Sequence, residues 1–232
     1  MWGWFDPYYF LFLAPAMVLA LWAQWRVRSA YSEANRQPAQ SGYTGAQAAA
    51  ALLEAAGVTD VRIVPTEGFL SDHYVPGERV LRLSPEVFAG RSLAAVGVAA
   101  HEAGHALQDA EHYPLLVLRN GLVPIANIGS QLSWVIIFVG FLLSSMGLIL
   151  AGILAFSVMV VFQIVNLPVE FDASRRARLA LVHAGLVSSQ EDRTVGRVLN
   201  AAALTYVAAT LSSVLTLLYF LFRSGLLGDR RG

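Results

Sequence analysis

The chain has 232 residues, of which 56% are hydrophobic and only 14% charged, where soluble domains carry about a quarter charged residues. Its 16 basic and 16 acidic side chains balance to +0, so it lacks the basic surplus of a nucleic-acid-binding surface, and nucleic acid is not expected as a partner. Cysteine is absent and every basic residue is arginine, which excludes disulfide scaffolds, thiolate metal sites, lysine Schiff bases and Walker-type phosphate loops.

The stretch from Tyr8 to Trp25 is uncharged, has aromatics at both ends and matches the length of a bilayer core, so residues 1–25 read as a first transmembrane helix. Arg26 and Arg28 follow it instead of preceding it, which favours an uncleaved anchor with its amino terminus outside. Residues 26–120 form an extramembrane unit. Within it, Gly45 to Ala56 is rich in helix formers and stops at Gly57. Val61 to Val64 and Arg79 to Leu83 alternate as strands, joined through the turn-like Val75-Pro76-Gly77-Glu78. Ser92 suits an N-cap, Leu93 to Ala110 reads as a helix, and Pro114 follows it.

From Asn120 to Val169 the chain is again uncharged and long enough for two spans, 121–144 and 145–168, with a tight turn at Ser144 to Gly147. Residues 169–198 are expected as an extramembrane helix, 199–222 as a fourth span and 223–232 as a short tail. An even number of spans puts both polar segments on one side. Arg26, Arg28, Arg36 and Arg119 flank one segment, and Arg175, Arg176, Arg178, Arg193 and Arg197 crowd the other, which assigns that side to the cytoplasm. Arg223, Arg230 and Arg231 in the tail run against this orientation, offset only by Asp229.

The chemistry lies in His101-Glu102-Ala103-Gly104-His105, a complete H-E-x-x-H on the helix expected over Leu93 to Ala110. A spacing of four puts both imidazoles on one helix face, suited to adjacent positions of a tetrahedral zinc, and Glu102 is placed to act as general base. Catalytic zinc keeps three protein ligands. The residues after His105, ALQDAEH, lack the longer H-x-x-G-x-x-H continuation, so the third ligand comes from elsewhere. Topology returns the chain to the same face at Glu170, the first carboxylate after the outside turn. Asp172 is the runner-up, though it would point about 200° away on a helix and can instead pair with Arg175 or Arg176. The fold class expected is therefore mainly α: about four transmembrane helices with a small α+β, zincin-like catalytic unit that carries the H-E-x-x-H helix.

The blocks HEAGHALQDAEHYPLLVLRN, LVPIANIGS, LPVEFDASRRA, VLNAAALTYVAA and LSDHYVPGERVLRLSP resemble the bacterial membrane-bound neutral zinc metallopeptidases called YugP-like, over roughly Tyr43 to Leu211. That resemblance implies a multi-pass protein of the bacterial inner membrane, with His101 and His105 as zinc ligands and Glu102 as catalytic base. More distantly, Glu170 to Ser174 is similar to the E-x-x-x-D element of gluzincin membrane peptidases of the HtpX type, whose leading Glu is the third ligand. Ser174 replaces the closing Asp of that element, and Asp172 or Asp109 could supply the carboxylate that orients an imidazole.

For a peptidase, a further donor should stabilise the oxyanion, and His183, His73 and Tyr206 are available. His183 also suits a surface helix, and His73 a loop or a strand edge lining the cleft, where an extended substrate could add as a strand. His112 suits the C-terminal dipole of the motif helix. Asn127, Ser130, Gln131 and Ser133 either line a route to the zinc or hydrogen-bond neighbouring helices. The implied activity is a zinc-dependent endopeptidase acting on membrane or misfolded proteins at the cytoplasmic face, with a protein or peptide substrate and the lipid bilayer as partners. A homo-oligomer or a membrane partner protein stays open. Competing readings are an intramembrane-cleaving zinc protease and a non-catalytic zinc-binding scaffold.

Overall fold

The computed structural model describes residues 7–68 and 71–226; Asp229, Arg230 and Arg231, which bore on orientation, lie outside them. In chain order the elements are α1 (Pro7–Asn35), α2 (Gly45–Ala55), β1 (Arg62–Pro65), β2 (His73–Val75), β3 (Val80–Leu83), α3 (Pro85–Ala89), α4 (Leu93–Ala110), α5 (Pro114–Leu142), α6 (Met146–His183) and α7 (Ser189–Arg223). The chain is mainly helical, and α1, α5, α6 and α7 are each long and apolar enough to cross a membrane.

Two compact units emerge. The first takes 1–22, 118–167 and 205–232, and the second takes 23–117 and 168–204. In the first, Ile137, Ile149, Ile153, Phe156, Val160, Tyr219 and Phe220 form the buried cluster. Tyr9 meets Tyr219 and Trp134 meets Phe220 edge to face, each pair with ring centroids 5.0 Å apart. A Cβ on Gly152 would lie 3.0 Å from the Ile137 nitrogen and 3.1 Å from the Ser133 carbonyl oxygen, so α5 and α6 approach backbone to backbone there. Large apolar side chains such as Leu11, Phe138 and Leu154 remain about two-thirds exposed, at 68–69%, as suits helices whose solvent is lipid. Two of the polar residues noted on α5 turn back on their own helix: the Ser130 hydroxyl donates to the Asn127 carbonyl and the Ser133 hydroxyl to the Ser130 carbonyl, each three residues back.

The second unit is built around α4. Ala94, Ala95, Val96, Ala99, Ala100 and Ala103 are fully buried, because side chains this small let other elements close on the helix from several directions. Gly97 abuts Val195 of α7, and Gly104 abuts the Ala173 backbone of α6. The Ser92 hydroxyl accepts the Ala95 N–H and caps α4, as expected. At the other end His112 takes φ 50°, which stops the helix before Pro114. Thr44 and Gln47 form a reciprocal capping box on α2.

The sheet differs from the expected hairpin. Its order is β1-β3-β2, with β1 parallel and β2 antiparallel to β3. The turn at Pro76–Glu78 joins β3 to β2, a three-residue strand too short to leave an alternating pattern, and not to β1. Asp72 fixes the entry to β2, its carboxylate accepting the Ser84 N–H at 2.8 Å and the Ser84 hydroxyl. The helix expected over 169–198 is likewise not a separate element: α6 runs unbroken to His183, and α7 begins at Ser189. Pro168 lacks an N–H and marks the border between the units without ending α6.

Candidate metal centre

α4 and α6 build the centre together. His101 and His105 share one face of α4, and Glu170 lies near the start of the α6 portion belonging to the second unit. The Glu170 Oε2 is 3.4 Å from His101 Nε2 and 3.6 Å from His105 Nε2. The two imidazoles stand edge to face, centroids 4.8 Å apart. One ligand atom from each of the three residues lies within 4.8 Å of the others.

These spacings fit a shared cation. Ligands held about 2.0–2.1 Å from a tetrahedral zinc sit roughly 3.3–3.4 Å from one another, close to both measured separations. The donor set, two imidazoles and one carboxylate, is that of an open zinc site. Glu170 is 3% exposed, and a buried carboxylate needs a compensating charge. Burial pulls the pKa of His105 down, yet Glu170, Glu102 and Gln108 outweigh it and hold the pKa above its usual value. The same field that favours a proton at that position favours a metal cation.

Gly104 sets how close the helices come. A Cβ there would lie 2.6 Å from the Ala173 carbonyl oxygen, a backbone atom that cannot rotate aside. Glu170 is three residues before Ala173, so this contact brings its carboxylate to the imidazoles.

Other polar groups surround the three. Glu102 is buried, and its Oε2 accepts the Tyr74 N–H of β2 at 3.1 Å. The Tyr74 hydroxyl donates to Asp109 at 2.8 Å; burial and that carboxylate push the phenol upward, so it stays a donor. Ser174 Oγ lies 3.1 Å from His101 Nδ1, and Gln108 Oε1 lies 3.0 Å from His105 Nδ1. Asp172 and Asp109, suggested as the orienting carboxylate, bond neither imidazole among the described residues. Asp172 accepts from Gln108, Arg175 and Arg176, and Asp109 from Tyr74. Asp172 was expected to pair with Arg175 or Arg176, and it pairs with both.

The candidate oxyanion donors are not part of this cluster. His73 is exposed on β2 with its Nδ1 2.7 Å from the Ser71 carbonyl oxygen. His183 is the exposed last residue of α6, beside a cavity of about 400 Å³ that Ser174 also lines. Tyr206 belongs to the first unit, where its carbonyl accepts the Thr210 hydroxyl. Tyr74 and Gln108 had no place in the sequence reading. Gln108, three residues after His105, shares its helix face and was open to discovery by spacing alone; Tyr74 depends on a sheet register that leaves no such trace.

The profile of a family described as "Putative neutral zinc metallopeptidase" matches residues 9–225. The chain belongs to that family. It is also 46% identical, over 212 residues covering 91% of this chain and 94% of the relative, to the "Putative membrane protease YugP" of Bacillus subtilis (strain 168). No solved structure matches the chain. With four apolar helices among the described residues, this member of a zinc-peptidase family is a multi-pass membrane protein, and His101, His105 and Glu170 form a cluster that could hold a metal ion.

Gly104→Ala tests the close approach. The substitution gains about 1 kcal/mol of helix propensity but forces a methyl onto backbone, an overpacking cost of about 1–3 kcal/mol. The melting temperature and the zinc affinity should both fall. Gly121→Ala, where a Cβ meets nothing within 4 Å, is the matched control and should lose neither.

Proposed function

We propose that the protein is a zinc-dependent membrane endopeptidase that hydrolyses peptide bonds of membrane or misfolded proteins at the cytoplasmic membrane face. The observation that carries it is the convergence of His101, His105 and Glu170 within 4.8 Å, with Glu102 buried on the same helix between the two histidines. His101 Nε2, His105 Nε2 and a Glu170 carboxylate oxygen hold the metal. When bound, zinc supplies Lewis acidity that polarises a carbonyl and makes water a nucleophile at neutral pH.

Glu102 takes the proton from the attacking water and returns it to the leaving nitrogen. The Tyr74 N–H, 3.1 Å from Glu102 Oε2, orients that carboxylate by charge-assisted bonding. Among the described residues β2 pairs with β3 on one side only, and its Tyr74 N–H is turned to Glu102, so an extended peptide adding along this edge would run past the base. The small unit around α4 is then the zincin-like catalytic unit.

An intramembrane-cleaving protease is disfavoured because α4 is not among the four helices apolar enough to span, and it is packed inside the second unit. A non-catalytic scaffold has no use for a buried acid between two ligand histidines, since a structural site closes its fourth position.

Glu102→Gln keeps the shape and removes the base. Zinc content should stay near one per chain while peptide hydrolysis falls about 10²–10⁴-fold. If wild type and variant are equally inert across a broad peptide pool, the scaffold reading prevails. Zinc should be lost from Glu170→Ala, whereas Asp172→Ala should keep it at an affinity lowered about tenfold; full occupancy in Glu170→Ala would remove Glu170 from the ligand set.

Orientation is open to a clean test because the chain has no cysteine. Glu78→Cys, at an exposed position, should resist an impermeant thiol reagent in intact cells and react once they are permeabilised. Labelling of intact cells inverts the topology.

A further inference from the structure

The geometry points to Gln108 as a positioning residue for the metal centre, one that fixes which nitrogen of His105 carries the proton and ties that histidine to the helical turn bearing Glu170. The inference rests on the metal reading above and adds to it a part for a residue outside the ligand set.

Gln108 is completely buried, so each of its polar atoms needs a partner. Its Nε2 donates to the Val169 carbonyl at 2.9 Å and to Asp172 Oδ2 at 2.9 Å. Both of these groups can only accept, and the amide has two hydrogens to give. The reversed amide would set oxygen against oxygen twice over, which fixes its orientation. Its Oε1 is thereby left facing His105 Nδ1 at 3.0 Å as an acceptor. His105 must donate from Nδ1, and the lone pair of the neutral ring then sits on Nε2, the nitrogen 3.6 Å from Glu170 Oε2.

His101 is held differently. Its Nδ1 faces the Ser174 hydroxyl, which both donates and accepts and so cannot dictate a tautomer by itself.

The second role is mechanical. Val169 and Asp172 flank Glu170 on α6, and one amide on α4 bonds both. The ligand carboxylate and the His105 imidazole therefore share a brace across the two helices. Asp172 is itself bonded by Arg175 and Arg176, so it bears on His105 only through the amide.

The test uses full-length protein in detergent micelles, stripped of metal, with zinc affinity measured by competition with a chromophoric chelator and cobalt loading followed by visible absorption. Gln108→Met keeps the volume and removes the amide. It should weaken zinc binding about tenfold or more and shift the cobalt bands. The pair Gln108→Glu with Asp172→Asn lets the new carboxylate accept both from His105 and from the new amide, restoring the link to position 172 but not the bond to the Val169 carbonyl. This pair should bind zinc more tightly than both Gln108→Met and Gln108→Glu alone.

A Gln108→Met protein within tenfold of wild type overturns the inference, as does an exchanged pair no tighter than the single variants. Should Gln108→Met fail to fold, the exchanged pair against Gln108→Glu decides. Failure of the underlying metal reading looks different: wild type would then bind no zinc that Glu170→Ala abolishes.

Discussion

The centre depends on a missing side chain. Two backbones on α4 and α6 come close enough at Gly104 that a single methyl would meet the Ala173 carbonyl oxygen at 2.6 Å. With Cβ atoms on both sides, helices usually keep axes about 8–10 Å apart, and a carboxylate on one must then stretch toward imidazoles on the other. Here Glu170 reaches both histidines, of which His105 is buried and His101 partly exposed. The same device recurs at Gly97 against Val195, and the alanines of α4 extend it along the helix. A helix of small residues is a poor source of hydrophobic area, at about 25 cal/mol per Å² buried. Its contribution is proximity, and the larger side chains around it, Leu52, Leu93, Leu181 and Leu199 among them, supply the apolar burial.

The two units obey different rules because they meet different solvents. In the first, apolar side chains stay exposed without penalty, serines turn back on their own carbonyls, and glycines such as Gly152 let helices touch. In the second, charges are paired: Arg178 with Asp192, Arg176 with Asp172 and Glu111, and Arg197 with Glu33. The border falls between Leu167 and Pro168, three residues before Glu170. A helix that starts as an apolar span therefore ends as the carrier of Glu170, and its continuity fixes where along the chain that carboxylate lies.

This continuity explains what the sequence made legible and what it hid. The motif helix was expected at Leu93 to Ala110 and is found there, because the N-cap and the following proline bound it at both ends. Glu170 was reached by topology, as the first carboxylate after a paired set of spans. The extent of α6 was hidden by the change of composition near residue 168, across which the helix continues with Pro168 inside it. β2 was hidden by its length of three residues, and the parallel β1–β3 pairing by the absence of any local signal for a non-adjacent partner. Ser174 in place of a carboxylate was visible as a departure from the gluzincin-type pattern. That Gln108 faces the other imidazole was open to the i,i+3 spacing on α4, whereas its bonds to Val169 and Asp172 needed the helix crossing, which no spacing rule contains.

The replacement has an electrostatic consequence. A carboxylate hydrogen-bonded to a ligand imidazole raises the basicity of that ligand and so lowers the charge the metal presents. At this centre both imidazoles meet neutral partners, Ser174 and Gln108. The nearby negative charge of Asp172 is neutralised by Arg175 and Arg176. Were a zinc ion held here, two neutral imidazoles and Glu170 would compensate only one of its two positive charges, and more of its field would be left for water and carbonyl. Glu102, the remaining carboxylate in this setting, receives its hydrogen bond from a backbone amide that cannot itself give up a proton. That bond fixes the direction of the carboxylate, the geometric requirement for a base that must reach one particular water.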